Sequence, residues 1–451
     1  MGQGERNIGF SQKLVLLAIL TMPFISVPIF PSSYRPLSVL FLVLPSFLIL
    51  IYFFREKNIS LLKEDLSLIL FFLISVCISV GLGGLNNGDW SDVAFENSLL
   101  AIGVLSFFCF RNAVISYQSS KIVFLIHKTA LILLALGFFE ILVLYGPFPS
   151  SLRDVIMYAM NGEISPRVQL TTSEAAWAGR IFIPTALVLA LAWWVRRTFF
   201  DALFAGLAVI LIILTFSVET YLTLAATGVV FSILFPERVR WKPVLIGSAV
   251  TIGLVGIGVP SLLAASQAPD APYYLTRLQK VANLPATDLV SLAQLDESVF
   301  IRVNYPLISF QIFMDHPLFG VGNGQYDDYF PRYLSALGKA PWQNDQIVAD
   351  VVNGTGDPRN LLGRILAENG IIGATPFIVF IFLIWLGLKR ADFSPAVQIG
   401  QLWLAFSIAS TLQFGSLVYL HNWFFWAFGS AVVLCAQRQR SSLTEVAGGR
   451  C

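Results

Sequence analysis

Charge is scarce in this sequence. Of its 451 residues only 12% are Asp, Glu, Lys or Arg, against roughly 25% in a soluble globular domain. Apolar residues make up 56%, more than a water-soluble core can hide, so the surplus is expected to face lipid. The formal net charge is only +2, which gives a nucleic-acid partner no electrostatic footing. Cysteine is equally sparse. Cys77 and Cys109 lie in apolar runs, Cys435 ends one and Cys451 is the last residue. No CxxC occurs and no pair shares a long loop, so neither a disulfide framework nor a zinc site is expected. Internal repeats and low-complexity blocks are also missing.

Long hydrophobic runs are what the sequence has. About 20 apolar residues cross the hydrocarbon core as a helix. Such runs fall near 14–30, 36–54, 66–82, 93–110, 122–145, 175–195, 202–216, 221–235, 244–265, 371–388, 397–414 and 417–436. The fold class is therefore all-α, a polytopic bundle of about twelve membrane helices. The first run follows Lys13 as in a signal peptide, but further spans come at once, so it is read as an uncleaved helix. Spans seven and eight are nearly continuous and are divided at Ser217–Glu219.

Cations orient the bundle. Arg55, Lys57, Arg111, Lys121, Arg196, Arg197, Arg238, Arg240, Lys242, Lys389, Arg390, Arg438 and Arg440 all fall on one side of these spans. Positive residues mark the cytoplasmic side. Both termini are then cytoplasmic, and two longer loops, 146–173 and 266–370, are outside. The expected organisation is helices one to nine over 1–265, a large periplasmic loop over 266–370, three further helices over 371–440, and a disordered tail over 441–451. The large loop is rich in Asp, Asn, Gln, Pro and Gly, with an amphipathic helix expected over 303–314.

Three short segments carry the chemistry. In the loop, Asp315-His316-Pro317-Leu318-Phe319-Gly320-Val321-Gly322-Asn323-Gly324 follows a helix led by Arg302. Downstream, Pro358-Arg359-Asn360 precedes Leu366-Ala367-Glu368-Asn369-Gly370-Ile371-Ile372-Gly373. Earlier, Thr172-Ser173-Glu174-Ala175-Ala176-Trp177-Ala178-Gly179 opens a middle span. In this order, and with this topology, the segments resemble the O-antigen ligase and O-antigen polymerase family. That family joins an HPLFGVG turn to a His-Asn helix start and an LAExGxxG run, and many of its polymerases carry an SEPSxxA segment.

The resemblance implies metal-independent glycosyl transfer on the periplasmic face, with no cofactor. The donor would be an oligosaccharide on a polyprenyl pyrophosphate, drawn from the membrane lipid. A flippase and a chain-length regulator would be partners. Such chemistry needs cations to hold a pyrophosphate, a role that suits the planar, permanently charged guanidinium. It also needs a base for the acceptor hydroxyl. Arg302 and Arg359 are candidates for the first role, with Glu174 and Glu219 for the second. Arg167, Arg180 and Asn360 would bind substrate. The backbone of Gly322 and Gly324 would cradle phosphate oxygens.

The pattern is broken in two places. Arg359 stands where the family's ligases have histidine, which favours a polymerase over a ligase joining finished glycan to a lipid or protein. Ser217-Val218-Glu219 lacks the arginine that members often carry there. A transporter of lipid-linked sugars is the alternative from another class, but such folds usually show repeats. Bland roles are open for the remaining polar residues. Arg180 would pair with Glu174 at the edge of its span. His316 would shape a turn, His127 would be structural, Glu368 would cap or pair, and His421-Asn422 would pack against Trp423 and Trp426. Asp327-Asp328 point apart on regular structure and bind no metal.

Overall fold

A computed structural model describes residues 3–22, 38–55, 62–86, 90–117, 119–161, 168–170, 172, 175–215, 217–239, 297–336, 358–417 and 419–448. Among these the regular elements are helical, with no strand. In chain order they are α1 Gln3–Thr21, α2 Ser38–Arg55, α3 Lys63–Asn86, α4 Trp90–Tyr117, α5 Ser119–Tyr145, α6 Ser150–Asn161, α7 Ala175–Arg196, α8 Phe199–Leu214 and α9 Val218–Leu234. After a short 3₁₀ turn at Pro236–Arg238 come α10 Glu297–Asp315, α11 Tyr326–Ala336, α12 Leu361–Arg390, α13 Pro395–Thr411 and α14 Leu420–Gly448.

Among the described residues, five segments are long and apolar enough to cross a membrane: Lys63–Leu82, Trp90–Tyr117, Lys121–Tyr145, Ala175–Arg196 and Leu361–Arg390. Shorter apolar helices stand beside them, α8 and most of α9 included. The chain is a multi-pass membrane protein. Outward stripes of bare apolar side chains fit that reading, since Leu66, Leu70 and Leu73 on α3 all project from the bundle at helical spacing. The expected span over 244–265 lies outside the described residues.

Local sequence sets the breaks. Between α8 and α9 the chain turns at Thr215, and Ser217 caps α9 by accepting the N–H of Thr220 at 3.4 Å. A serine at this position satisfies one of the orphan donors of a helix start. The division expected near Ser217 is therefore real, and it sets Glu219 in the first turn of α9. The loop-to-span boundary expected at 370/371 falls inside a single helix. Helix α12 begins ten residues earlier and kinks at Gly370, whose φ of 58° leaves the helical region. A Cβ there would lie 2.3 Å from the carbonyl oxygen of Leu318, so glycine is required. At the other end, α14 continues to Gly448, through residues expected as a disordered tail. No proline or glycine interrupts Ser441–Val446 to stop it.

Packing, rather than escape from water, holds such a bundle together, because lipid is as apolar as the helix interiors. Helices α7 and α8, α3 and α12, α4 and α14, and α9 and α13 form the main pairs. Gly103 on α4 admits the indole of Trp423, which a Cβ would meet at 2.4 Å. Phe107, Phe377, Phe380 and Trp426 make an edge-on aromatic centre. Interhelical hydrogen bonds lock the register, as from Ser67 to the Pro376 carbonyl at 2.7 Å and from Trp385 to the Leu234 carbonyl at 3.0 Å.

Candidate active site

Four charged residues from four separate chain segments converge. Arg180 lies in the second turn of α7, Glu219 in the first turn of α9, Arg302 in α10, and Arg359 just ahead of α12. Glu219 is the hub. One carboxylate oxygen accepts from Nη2 of Arg180, and the other accepts from Nη2 of Arg302 at 2.9 Å. Arg359 stands close enough for its charge to act on the same carboxylate. Arg180 and Glu219 are sealed, at 2% and 3% side-chain exposure, whereas Arg302 at 29% forms the rim.

The surroundings brace Arg180. Its guanidinium carbon lies 4.1 Å from the Phe414 ring centre, with Tyr419 at 5.8 Å and Trp177 at 6.0 Å. These are cation–π distances. Gly179 allows the close approach of α9, since a Cβ would fall 2.0 Å from the Thr220 hydroxyl. The partner the structure gives Arg180 is Glu219. Arg180 reaches across to another helix, and Glu174 and Arg167 lie outside the described residues.

Three arginines thus gather on one buried glutamate. Grouped guanidiniums are the donors that suit phosphate oxygens, with planar, charged N–H groups. Arg359 carries a further mark. Its φ of 52° is left-handed, which costs a side-chain-bearing residue roughly 1–2 kcal/mol. Strain of this kind gathers at functional sites. Glu219, by contrast, is poorly suited to the base role expected of it, because both its oxygens are taken by guanidinium groups.

Other expected binders have structural work instead. The Asn360 side chain caps α12, accepting the Gly363 N–H at 2.8 Å. Gly322 donates its N–H to the Glu368 carbonyl at 2.7 Å, and Gly324 donates to the Glu368 carboxylate at 3.2 Å. These are the donors the phosphate cradle would have used. Glu368 also pairs with Arg364, which bridges to Glu96 on α4 at 3.2 Å. With the bonds from Val321 to the Ala367 carbonyl and from Ile371 to the Pro317 carbonyl, the two motifs form one knot that ties the loop to the bundle. His316 turns the chain as expected, its N–H accepted by Ile312 and its ring edge-on to Tyr329. His421 lies flat on Tyr419 at 4.6 Å, while Trp423 packs on Trp426. Sequence reasoning passed over Arg364 and the helices α6 and α11. Both are amphipathic, and that periodicity was their signal in the sequence. Among the described residues no cluster of His, Cys, Asp and Glu is arranged around a metal position.

A helical, multi-pass membrane protein with a largely buried arginine–glutamate cluster where four chain segments meet is thus the class defined. Residues 203–378 match the family model described as O-Antigen ligase. The match covers under half of the chain, and over that stretch the chain is similar to the O-antigen ligase domain. The matched stretch holds Glu219, Arg302 and Arg359, while Arg180 precedes it. No curated protein matches the chain.

Proposed function

We propose that the protein is a polysaccharide polymerase of the O-antigen or exopolysaccharide type. It transfers a growing glycan from polyprenyl pyrophosphate to a lipid-linked repeat unit on the periplasmic face of the inner membrane. The observation that carries this reading is the clustering of Arg180, Arg302 and Arg359 around Glu219. As the glycosidic bond to phosphate breaks, charge grows on the departing pyrophosphate. Cations already in place stabilise that charge without reorganising, the largest single source of catalysis in many enzymes. In this reading Glu219 holds two of the guanidiniums apart and aimed, and the rim position of Arg302 leaves it able to swing onto substrate. About twelve spans, cytoplasmic termini and an outer site complete the topology. The histidine-to-arginine change at 359 supports polymerase over ligase. A flippase would supply the substrate, and a chain-length regulator would set where growth stops.

The test is turnover by purified protein in detergent, with lipid-linked repeat units extracted from the host, no nucleotide sugar, and EDTA present. A ladder of repeat-unit multiples on a gel is expected, and Arg302→Ala and Arg359→Ala each abolish it. A single transfer to a lipid or protein acceptor would move the assignment to ligase. Intact chain synthesis in both arginine variants would overturn the role of the cluster.

A further inference from the structure

Helix α7 carries a charged group at each end. Arg180 stands near its start and Arg196 at its last residue, about 24 Å apart at the rise of a helix. At the far end Nη2 of Arg196 donates to Nε2 of His127 on α5 and to Oδ1 of Asp201 on α8, each at 2.7 Å. Thr198 donates to the other oxygen of Asp201 at 2.6 Å. The guanidinium is thereby fixed through one nitrogen. Its Nε and Nη1 bond nothing among the described residues, and the side chain is 49% exposed.

Arg196 and His127 together line a cavity of about 230 Å³ between α5, α7 and α13. Its floor is buried and apolar, with Val188 and Leu191 on α7 and Ile399 on α13. Its rim is apolar and exposed, at Phe124 and Val195. Arg196 and His127 are the polar side chains among the residues that line it. The ammonium of Lys128 stands 5.4 Å from the Phe124 ring centre, so a second cation reaches the same rim. The level is that of a bilayer boundary. From His127 to the end of α5 at Tyr145 is about 27 Å, close to the roughly 30 Å of hydrocarbon in a membrane. Just past Arg196, the rings of Phe199 and Phe200 are bare. An apolar crevice with cations at its membrane-boundary end has the polarity of a lipid, reversed in charge at the headgroup.

We propose that this cavity binds one phospholipid with an anionic headgroup, taken from the leaflet on the cation-rich side of the bundle. The phosphate accepts charge-assisted hydrogen bonds from the open N–H groups of Arg196. Lys128 adds its charge at the rim, and an acyl chain lies along Val188, Leu191 and Ile399. Inorganic phosphate would gain nothing from those apolar walls. A zwitterionic headgroup would bring a further cation to Arg196 and Lys128. Bound there, the lipid ties α5, α7 and α13 together at the end of the helix whose other end carries Arg180. The leaflet is cytoplasmic on the orientation proposed above. The binding itself depends neither on that orientation nor on the glycosyl-transfer reading.

The experiment uses the full chain, purified in detergent and stripped of lipid. Dioleoyl phosphatidylglycerol or dioleoyl phosphatidylcholine is added at equal mole fraction. Native mass spectrometry counts the bound lipid, and thermal midpoints are read alongside. A one-to-one adduct and a raised midpoint are expected with phosphatidylglycerol and neither with phosphatidylcholine. Lys128→Gln leaves the Arg196 contacts in place and should weaken the adduct about fivefold. Arg196→Gln should weaken it about tenfold or more. Ala192→Phe fills the cavity from a lining position with the charges intact, and should abolish the adduct. Arg197→Gln should leave it unchanged, because that guanidinium lies over Trp194 instead, at 4.1 Å. Arg196→Gln also leaves Asp201 without its arginine, so if that variant does not fold, Lys128→Gln and Ala192→Phe decide. Equal retention of both lipids, or an adduct undiminished in Ala192→Phe, would overturn the proposal. An equal rise in midpoint with sodium phosphate alone would do so as well, marking a site for the anion and not for the lipid.

Discussion

Replacing Glu219 by glutamine separates a brace from a base. The change keeps the shape and one acceptor oxygen but removes the charge that faces Arg180 and Arg302. Arg180 is only 2% exposed, so water cannot take over. Breaking a buried ion pair by removing one partner costs roughly 3–5 kcal/mol, and the retained oxygen places the expected loss near the lower figure, about 3 kcal/mol. Arg302 adds less, because a half-exposed pair is screened and contributes about 1 kcal/mol or below. The assay is thermal unfolding in detergent, followed by tryptophan fluorescence at a fixed scan rate because unfolding of such a protein is expected to be irreversible. Glu219→Gln should melt clearly below wild type and turn over slowly, through misplaced guanidiniums. The paired variant Arg180→Met with Glu219→Leu removes both charges at once. It should recover most of the lost stability, as apolar replacements of buried pairs often do, while turnover stays absent. A Glu219→Gln protein that melts with wild type yet loses about 10²-fold or more in kcat would refute the reasoning, since losses of that size without destabilisation are those of a general base.

Other outcomes follow from the same geometry. Gly179→Ala places a methyl 2.0 Å from the Thr220 hydroxyl and should cost about 1–3 kcal/mol by overpacking, read as a lowered melting temperature and weaker turnover. Gly370→Ala meets backbone, at 2.3 Å from the Leu318 carbonyl, and cannot relax by a rotamer change; expression of folded protein, measured by size-exclusion profile, should fall sharply. Arg359→Asn should melt no lower than wild type, because asparagine tolerates the left-handed φ of 52°, yet should weaken donor binding; a large drop in melting temperature would contradict that view of the position. In the loop, partial burial and donation to Asp315 at 2.5 Å hold the Tyr333 hydroxyl up at about 12, from an ordinary 10.0. A raised value means that this tether is whole below pH 10 and is lost as pH rises through about 12. Ultraviolet titration of wild type against Tyr333→Phe should show one late-ionising tyrosine missing from the variant.

What the sequence determined by itself is local or compositional. Scarce charge and long apolar runs required helices in lipid, because hydropathy accumulates along a stretch of chain and needs no partner to be read. The break near Ser217 was legible for the same reason, as a polar interruption between two apolar runs is local. Arg180 could be singled out because a guanidinium at the edge of a span is costly unless it is used, and Arg302 and Arg359 by the motifs around them. Only the tertiary structure decided which carboxylate meets them. Glu174 is close to Arg180 along the chain, but Glu219 is brought to it by the packing of α9 beside α7, a contact between distant segments that periodicity cannot express. The same holds for the glycines, whose N–H groups are consumed by a kinked helix more than forty residues downstream. It holds most of all for His127 and Arg196, ordinary span-end residues by sequence. Their contact at 2.7 Å beside a shared cavity is a property of the packing of α5 against α7 and not of either residue.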